Sequence, residues 1–154
     1  KKRIRSHNAR IYGNALVIPI YSQNREIVNL QFIDQHGSKR FLSGGKKNGC
    51  FSTIGVFKAD SIILIAEGFA TAVSLYEDTG NPVVIALDAG NLEPVAKAIR
   101  SFFQTSQIII CADNDLNQVG QQAAKKAALS IGGKVIIPEI VGCDWNDVLT
   151  MEDV

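Results

Sequence analysis

The spacing of apolar and polar positions along the chain changes period near residue 60. Before that point the apolar runs are short and alternate with polar residues: Ala15–Tyr21 (ALVIPIY), Glu26–Asp34 (EIVNLQFID) and Lys39–Leu42 (KRFL). Polar, turn-like segments separate them at Ser22–Arg25 and Gln35–Ser38, the second containing Gly37. Alternation of period two between such turns predicts an antiparallel meander. Pro19 cannot donate to a ladder, so the first strand is expected to be an edge or to carry a bulge.

From Ser61 onward, uninterrupted apolar runs alternate with helical stripes. Ser61–Gly68 (SIILIAEG) and Gln107–Asp115 (QIIICADND) are β-branched, too short for helices, and end abruptly in carboxylates. Such runs suit strands covered on both faces by helices. Between and after them, Phe69, Ala72, Val73 and Tyr76 recur at helical spacing, and Leu92, Val95, Ala96, Ile99, Phe102 and Phe103 form a wider apolar stripe. Asn91 is expected to cap the second of these helices, with Pro94 tolerated in its first turn. A third helix is predicted from about Gln118 to Ile131, with Gly120 permitting close packing, and Gly132–Gly133 ending it. Pro82–Leu87 and Lys134–Ile137 supply two more strands. Successive strand-helix-strand units imply right-handed crossovers and a three-layer α/β/α sandwich around a four-stranded parallel sheet.

Topology then decides the chemistry. Glu67 ends the first of these strands, and Asp113 and Asp115 end the third, so they meet only if those strands are neighbours. That requires the strand order 2-1-3-4, with its switch point between strands one and three, where ligands gather beyond the carboxyl ends. Three carboxylates sharing one crevice repel one another. A divalent cation such as Mg²⁺, or Mn²⁺ in vitro, relieves that repulsion and leaves positions free for substrate phosphates.

Composition adds a polarity that the net charge of +1 conceals. Residues 1–60 carry eleven Lys and Arg against three acids, and residues 61–154 carry five against twelve. The basic half suits a polyanion and the acidic half suits metal. Lys1, Lys2, Arg3 and Arg5 account for half of the basic excess and are equally explained as a solvated tail. The loop Ser43–Gly49 (SGGKKNG) offers glycines and the cations Lys46 and Lys47 to a phosphate. It lacks the Gly-Lys-Ser/Thr ending of a P-loop and no helix follows it, so its local reading is a hairpin loop.

Cys50, Cys111 and Cys143 show no metal-binding or disulfide spacing. His7 and His36 read as surface residues, Tyr12, Tyr21 and Tyr76 as packing residues, and Trp145 as a core or lid aromatic. No apolar run approaches the ~20 residues that a membrane crossing needs, and cytoplasm is the expected location. The first residue is Lys rather than Met, so a piece of a longer protein is expected.

At Ala66–Glu67–Gly68 and Ala112–Asp113–Asn114–Asp115 the chain resembles the Toprim family, the catalytic domain of bacterial-type primases, type IA and type II topoisomerases and several small nucleases. The resemblance spans roughly residues 61–149. It is greatest to the primase-like branch of plasmids and mobile elements, on AEGFATAVSLYEDTG, on ADNDLNQVGQQAA and on Asp144–Trp145–Asn146–Asp147. The segment IPIYSQNREIVNLQFIDQHGSKRFLSGGKKNG is similar to the one preceding the domain in those primases. Asn117 departs from the third acid that topoisomerases carry, so by resemblance Asp144 and Asp147 are the further metal ligands. The zinc-binding module that often precedes such primases does not occur in this sequence.

The resemblance implies a basic β-rich subdomain over residues 1–58 and a Toprim catalytic domain over 59–154. It also implies Mg²⁺-dependent nucleotidyl transfer making RNA primers on a single-stranded DNA template, from nucleoside triphosphates and in company with a replicative helicase. Glu67, Asp113 and Asp115 would be catalytic and, with Asp144 and Asp147, metal-binding. Lys39, Lys46, Lys47 and Gly68 would contact nucleic acid or nucleotide. A Toprim nuclease using water as nucleophile and a non-catalytic DNA-binding module remain the alternatives.

Overall fold

The computed structural model describes residues 2–151, so Lys1 of the basic tail lies outside the described residues. Its first sheet is an antiparallel meander of β1 (Arg10–Tyr12), β2 (Ala15–Tyr21), β3 (Ile27–Ile33) and β4 (Lys39–Phe41), in chain order. β2 is therefore not an edge. β1 pairs only with Ala15–Val17, which leaves Pro19 on a flank that β1 does not reach, and a register shift at Ile20/Tyr21 supplies the expected bulge. Both features let the ladder tolerate the missing N–H.

The second sheet begins with β5 (Ser52–Ile54), which the alternation of the sequence does not reveal. Then follow β6 (Ile62–Ala66), α1 (Phe69–Thr79), β7 (Val83–Ile85), α2 (Leu92–Phe102), β8 (Gln107–Cys111), α3 (Val119–Ile131), β9 (Lys134–Ile136) and α4 (Trp145–Met151). The strand order is β5-β7-β6-β8-β9. Its four parallel strands follow the order 2-1-3-4 read from the sequence, and β5 adds an antiparallel edge against β7. The sheet is thus five-stranded and mixed rather than four-stranded and parallel. Three residues between Phe51 and Gly55 are too few for a periodic signal, so only the partner strand identifies β5.

Two apolar layers sandwich this sheet. Ile63, Ile65, Ile108 and Ile110 face α2 and α3, where Val95, Ile99, Ala124 and Ala127 are fully or almost fully buried. The alternate residues Leu64, Ala66 and Cys111 face α1, α4 and the inner face of the meander through Phe69, Val73, Trp145, Ile18 and Ile20. Burying one such aliphatic side chain contributes about 1.5–3 kcal/mol, which is why runs buried on both faces carry almost no polar residue. A bridge between Tyr21 and Phe51 joins the meander to the second sheet.

Asn91 does something other than cap α2. Asp88 caps the short 3-10 turn Ala89–Asn91, accepting from the Asn91 backbone N–H at 3.1 Å. The buried Asn91 amide instead donates to the carbonyls of Cys50 and Ala86 and accepts from the Gly49 N–H. It stitches the glycine-rich loop to the end of β7. His7 also departs from a surface reading: its Nε2 bonds to Glu77 Oε1 at 3.0 Å and its ring stands edge-on to Tyr76. Tyr76 packs against the core as expected.

Candidate active site

β6 and β8 are adjacent and parallel, with Ala66 opposite Cys111. Glu67 and Asp113 therefore leave the sheet at the same rim. Glu67 is half-buried, and its own carbonyl accepts from the Leu87 N–H at 2.8 Å. Leu87 adopts a left-handed conformation, φ 79°, although it is buried and carries a branched side chain. A residue held this way costs on the order of 1–3 kcal/mol, and such strain concentrates at functional rims. Here it turns the chain from β7 into Asp88.

The carboxylates sense one another. Burial, then the charges of Asp144, Glu67 and Asp115, push Asp113 up to about 7, against the opposing pull of Lys39. Burial also raises Glu67; Lys39 opposes this, and Asp115 and Asp88 add to it. Asp115 is exposed. A β-carbon built on Gly120 would stand 3.7 Å from both Asp115 Oδ2 and Glu67 Oε2, so the first turn of α3 lies against these two acids. The hydroxyl of Thr71, in the first turn of α1, donates to Asp113 Oδ1 at 3.4 Å. Below the rim, burial and the Asp113 charge push the Cys111 thiol up to about 12, which leaves it unreactive.

Asp144 and Asp147 are arranged as a reciprocal cap at the start of α4. Asp144 Oδ1 accepts from the Asp147 N–H at 2.8 Å, and Asp147 Oδ2 accepts from the Asp144 N–H at 3.2 Å. This is the carboxylate form of a capping box. Lys2 bridges both acids at 2.7 Å, and its hydrogen bond is the main reason that Asp147 is held below the ordinary range. Both oxygens of each acid are engaged, by Lys2 and by the cap, and Asp144 is the one that faces Asp113 closely enough to be the foremost charge raising it. The other two residues of this segment anchor it: Trp145 donates its indole N–H to the Ala112 carbonyl, and Asn146 donates to Ser74 Oγ on α1.

The basic residues divide in the same manner. Lys39 is the cation opposite the acids, with its Nζ 3.4 Å from where a β-carbon on Gly68 would stand. Gly68 opens α1, whose first turn has no side-chain cap and no acid. Lys47 pairs with Asp88 and lies over the Phe41 ring, and Arg40 lies over Phe32. Lys46 is exposed in the glycine-rich loop and has no ion pair among the described residues.

The structure thus brings together Glu67, Asp113, Asp115 and Asp144, with Lys39 and Gly68 at the edge of the same rim. Asp147 and Lys47 are taken up by ion pairs with Lys2 and Asp88, and Lys46 stands exposed in its loop. Oxygen donors that raise one another's affinity for protons suit a hard divalent cation. Among the described residues, however, no three His, Cys, Asp or Glu side chains are disposed to hold a metal ion as they stand. The donor set fits, and its side chains are open rather than closed around a point. Asn91, Asn114 and Gln121 escape sequence reading, since a polar residue within a motif or a helix shows its partners only once the loops are placed.

Comparisons with known proteins bear on the family and the fold. A family model for the Toprim domain matches residues 62–153. The chain is 37% identical over 136 residues to a DNA primase TraC of Escherichia coli, covering 82% of this chain and 9% of the relative. It is 35% identical over 137 residues to a second Escherichia coli DNA primase TraC, covering 82% of this chain and 13% of that protein. The chain therefore spans only a small part of the length of the curated relatives it matches. Among solved structures, the primase fragment of the bacteriophage T7 primase-helicase protein superposes with a TM-score of 0.70 at 20% identity, covering 98% of this chain and 71% of that one.

Proposed function

Because this chain belongs to the Toprim domain family, we propose that it carries the catalytic centre of a DNA primase, joining ribonucleotides on a single-stranded DNA template. One observation carries the reading: acids from two neighbouring parallel strands, Glu67 and Asp113 with Asp115, converge at one sheet rim opposite Lys39. Similarity to DNA primase TraC supports the same reaction class.

Glu67, Asp113 and Asp115 would hold Mg²⁺, with Asp144 beside them. The cation would supply charge neutralisation on the transferred phosphoryl group. Asp147 belongs to this set only through its partner in the cap. Glu67, whose proton affinity burial raises, would take the proton of the attacking 3′-hydroxyl. Lys39 and the uncapped N–H groups after Gly68 form a place for triphosphate oxygens, the ammonium lying within ordinary contact distance of a β-carbon at position 68. Arg40 over Phe32, Lys47 over Phe41 and the exposed Lys46 alternate charge with aromatic faces, which suits a single-stranded template.

The whole protein would act in the cytoplasm, in replication of a plasmid or mobile element, and a helicase partner is in keeping with the primase-helicase resemblance. Among the described residues no helix is long and apolar enough to cross a membrane. The deciding assay incubates the chain with single-stranded DNA, ribonucleoside triphosphates and Mg²⁺. Short ribonucleotide products that vanish in Asp113→Asn and Glu67→Gln are expected. Shortened DNA with no ribonucleotide incorporation would instead establish a nuclease, and unchanged DNA binding without either product would leave a binding module.

A further inference from the structure

Asn114 lies between the two aspartates, and each of its four polar groups has a partner. Its N–H donates to the Cys143 carbonyl at 3.1 Å and its carbonyl accepts from the Gly142 N–H at 2.7 Å. Its Nδ2 donates to the Pro138 carbonyl at 2.8 Å, and its Oδ1 accepts from Gln121 Nε2 at 3.0 Å. Three of the four bonds run to the loop 138–143, which connects β9 to Asp144. Gln121 sits in the first turn of α3, is 6% exposed, and also donates to the Asp115 carbonyl at 2.9 Å. Its Oε1 is buried with no partner, so the amide is kept at this place despite an unsatisfied oxygen.

On the other side of Asp113, the Ala112 carbonyl is held by the Trp145 indole. The backbone on both sides of the central acid is therefore tied to the segment that delivers Asp144. An aspartate at 114 could accept from Gln121 but could not donate to Pro138, and it would add another negative charge to the cluster. Serine or alanine would not span to both partners.

We propose that Asn114 and Gln121 act as one positioning clip that holds the loop 138–143 against the aspartate turn, so that Asp144 and Asp113 face a common cation. Its consequence for cation binding rests on the catalytic reading above; the clip itself does not. The clip works through the acids and touches no substrate, which distinguishes it from the carboxylates.

The test uses the full chain, Mn²⁺ as the probe, and the variants Asn114→Ala, Gln121→Ala, Gln121→Glu and the double alanine variant. Calorimetry reads Mn²⁺ affinity, thermal unfolding confirms that each variant folds, and hydrogen exchange follows the Gly142 amide. Asn114→Ala is expected to weaken Mn²⁺ binding by about tenfold, the scale typical of lost outer contacts to ligands. The double variant is expected to be no weaker than Asn114→Ala alone, as for residues of one unit. Gln121→Glu keeps the volume and removes the donor, and should weaken binding similarly; the Gly142 amide should exchange faster in all four. Unchanged Mn²⁺ affinity in variants of a wild type that binds the ion would overturn the positioning role alone. A wild type that binds no Mn²⁺ would overturn the cation reading and the positioning role together. Additive losses would show that the two residues are not one clip, and an unprotected Gly142 amide in the wild type would show that the clip does not hold.

Discussion

Asp113 concentrates the electrostatic tension of the site. The unfolded chain releases its proton near the ordinary value of 3.8, whereas the folded chain retains it up to about 7. An acid raised in this way favours the folded state only while protonated, so stability falls as pH rises from about 4 to 7 and stays lower above. A tenfold difference in proton affinity between the two states corresponds to about 1.36 kcal/mol, and solvent at the half-open rim screens part of it. In the absence of divalent ions, Asp113→Asn should therefore be more stable than the wild type at pH 8, by about 1–3 kcal/mol. The difference should vanish near pH 4. Urea unfolding in a chelator at both pH values measures it, and a less stable Asn variant at pH 8 would mean that the carboxylate is not under this strain. If Asp113 holds the cation as proposed, activity and stability are opposed at this residue, as is common where function needs like charges close together.

Elements hold the site through a few buried polar side chains. Asn91 ties together the glycine-rich loop, the end of β7 and the start of α2 with three hydrogen bonds in the interior. Asn91→Ala would leave the Gly49 N–H and two carbonyls unpaired, and should destabilise the fold by about 2–4 kcal/mol in urea titration. Asn91→Asp would keep the acceptor for Gly49 but lose both donors, and should recover only part of that loss. A cost below about 0.5 kcal/mol, the level of ordinary surface substitutions, would show that water replaces the stitch. The helix α4 depends on a similarly small set of contacts: it is seven residues long, too short to persist alone, and is secured by its reciprocal aspartate cap, Trp145 and Asn146.

At the scale of the whole molecule, the basic and acidic halves read along the chain come face to face, with Lys39, Lys47 and Lys2 against acids of the second half. The meander carries Lys39 and Arg40 on β4, and the loop after it carries Lys46 and Lys47; the carboxylates line the rim of the neighbouring sheet. If this basic surface tracks a single-stranded template, each lysine that contacts a phosphate contributes about 0.7 to the slope of log affinity against log salt. Lys46→Ala should lower the slope by about that amount and weaken binding at low salt without changing the sequence preference. Lys47→Ala should do less than a free lysine, because Asp88 already engages it. Anisotropy of a labelled oligonucleotide across a salt series tests both, and an unchanged slope for Lys46→Ala would exclude that loop from the template path.

How much of this was legible beforehand depends on whether the determinant is local. Ile63 to Ala66 and Ile108 to Cys111 must be covered on both faces, so strands and flanking helices follow from the linear pattern, whereas the strand order is expected only because the acids could not otherwise meet, and the pairing of β6 with β8 has that order. Residue type likewise singles out Glu67, Asp113 and Asp115 as candidates, because a carboxylate at the end of an apolar run does not pack in the core, and the paired strands bring them to one rim. The sequence did not reveal β5, whose three residues become a strand only beside β7. Nor did it reveal the partners of Asn91, Asn114 and Gln121, or the cap that occupies Asp147. Those depend on where loops distant in sequence come to rest, and a polar side chain bonds to whatever the folded chain puts within about 3 Å of it.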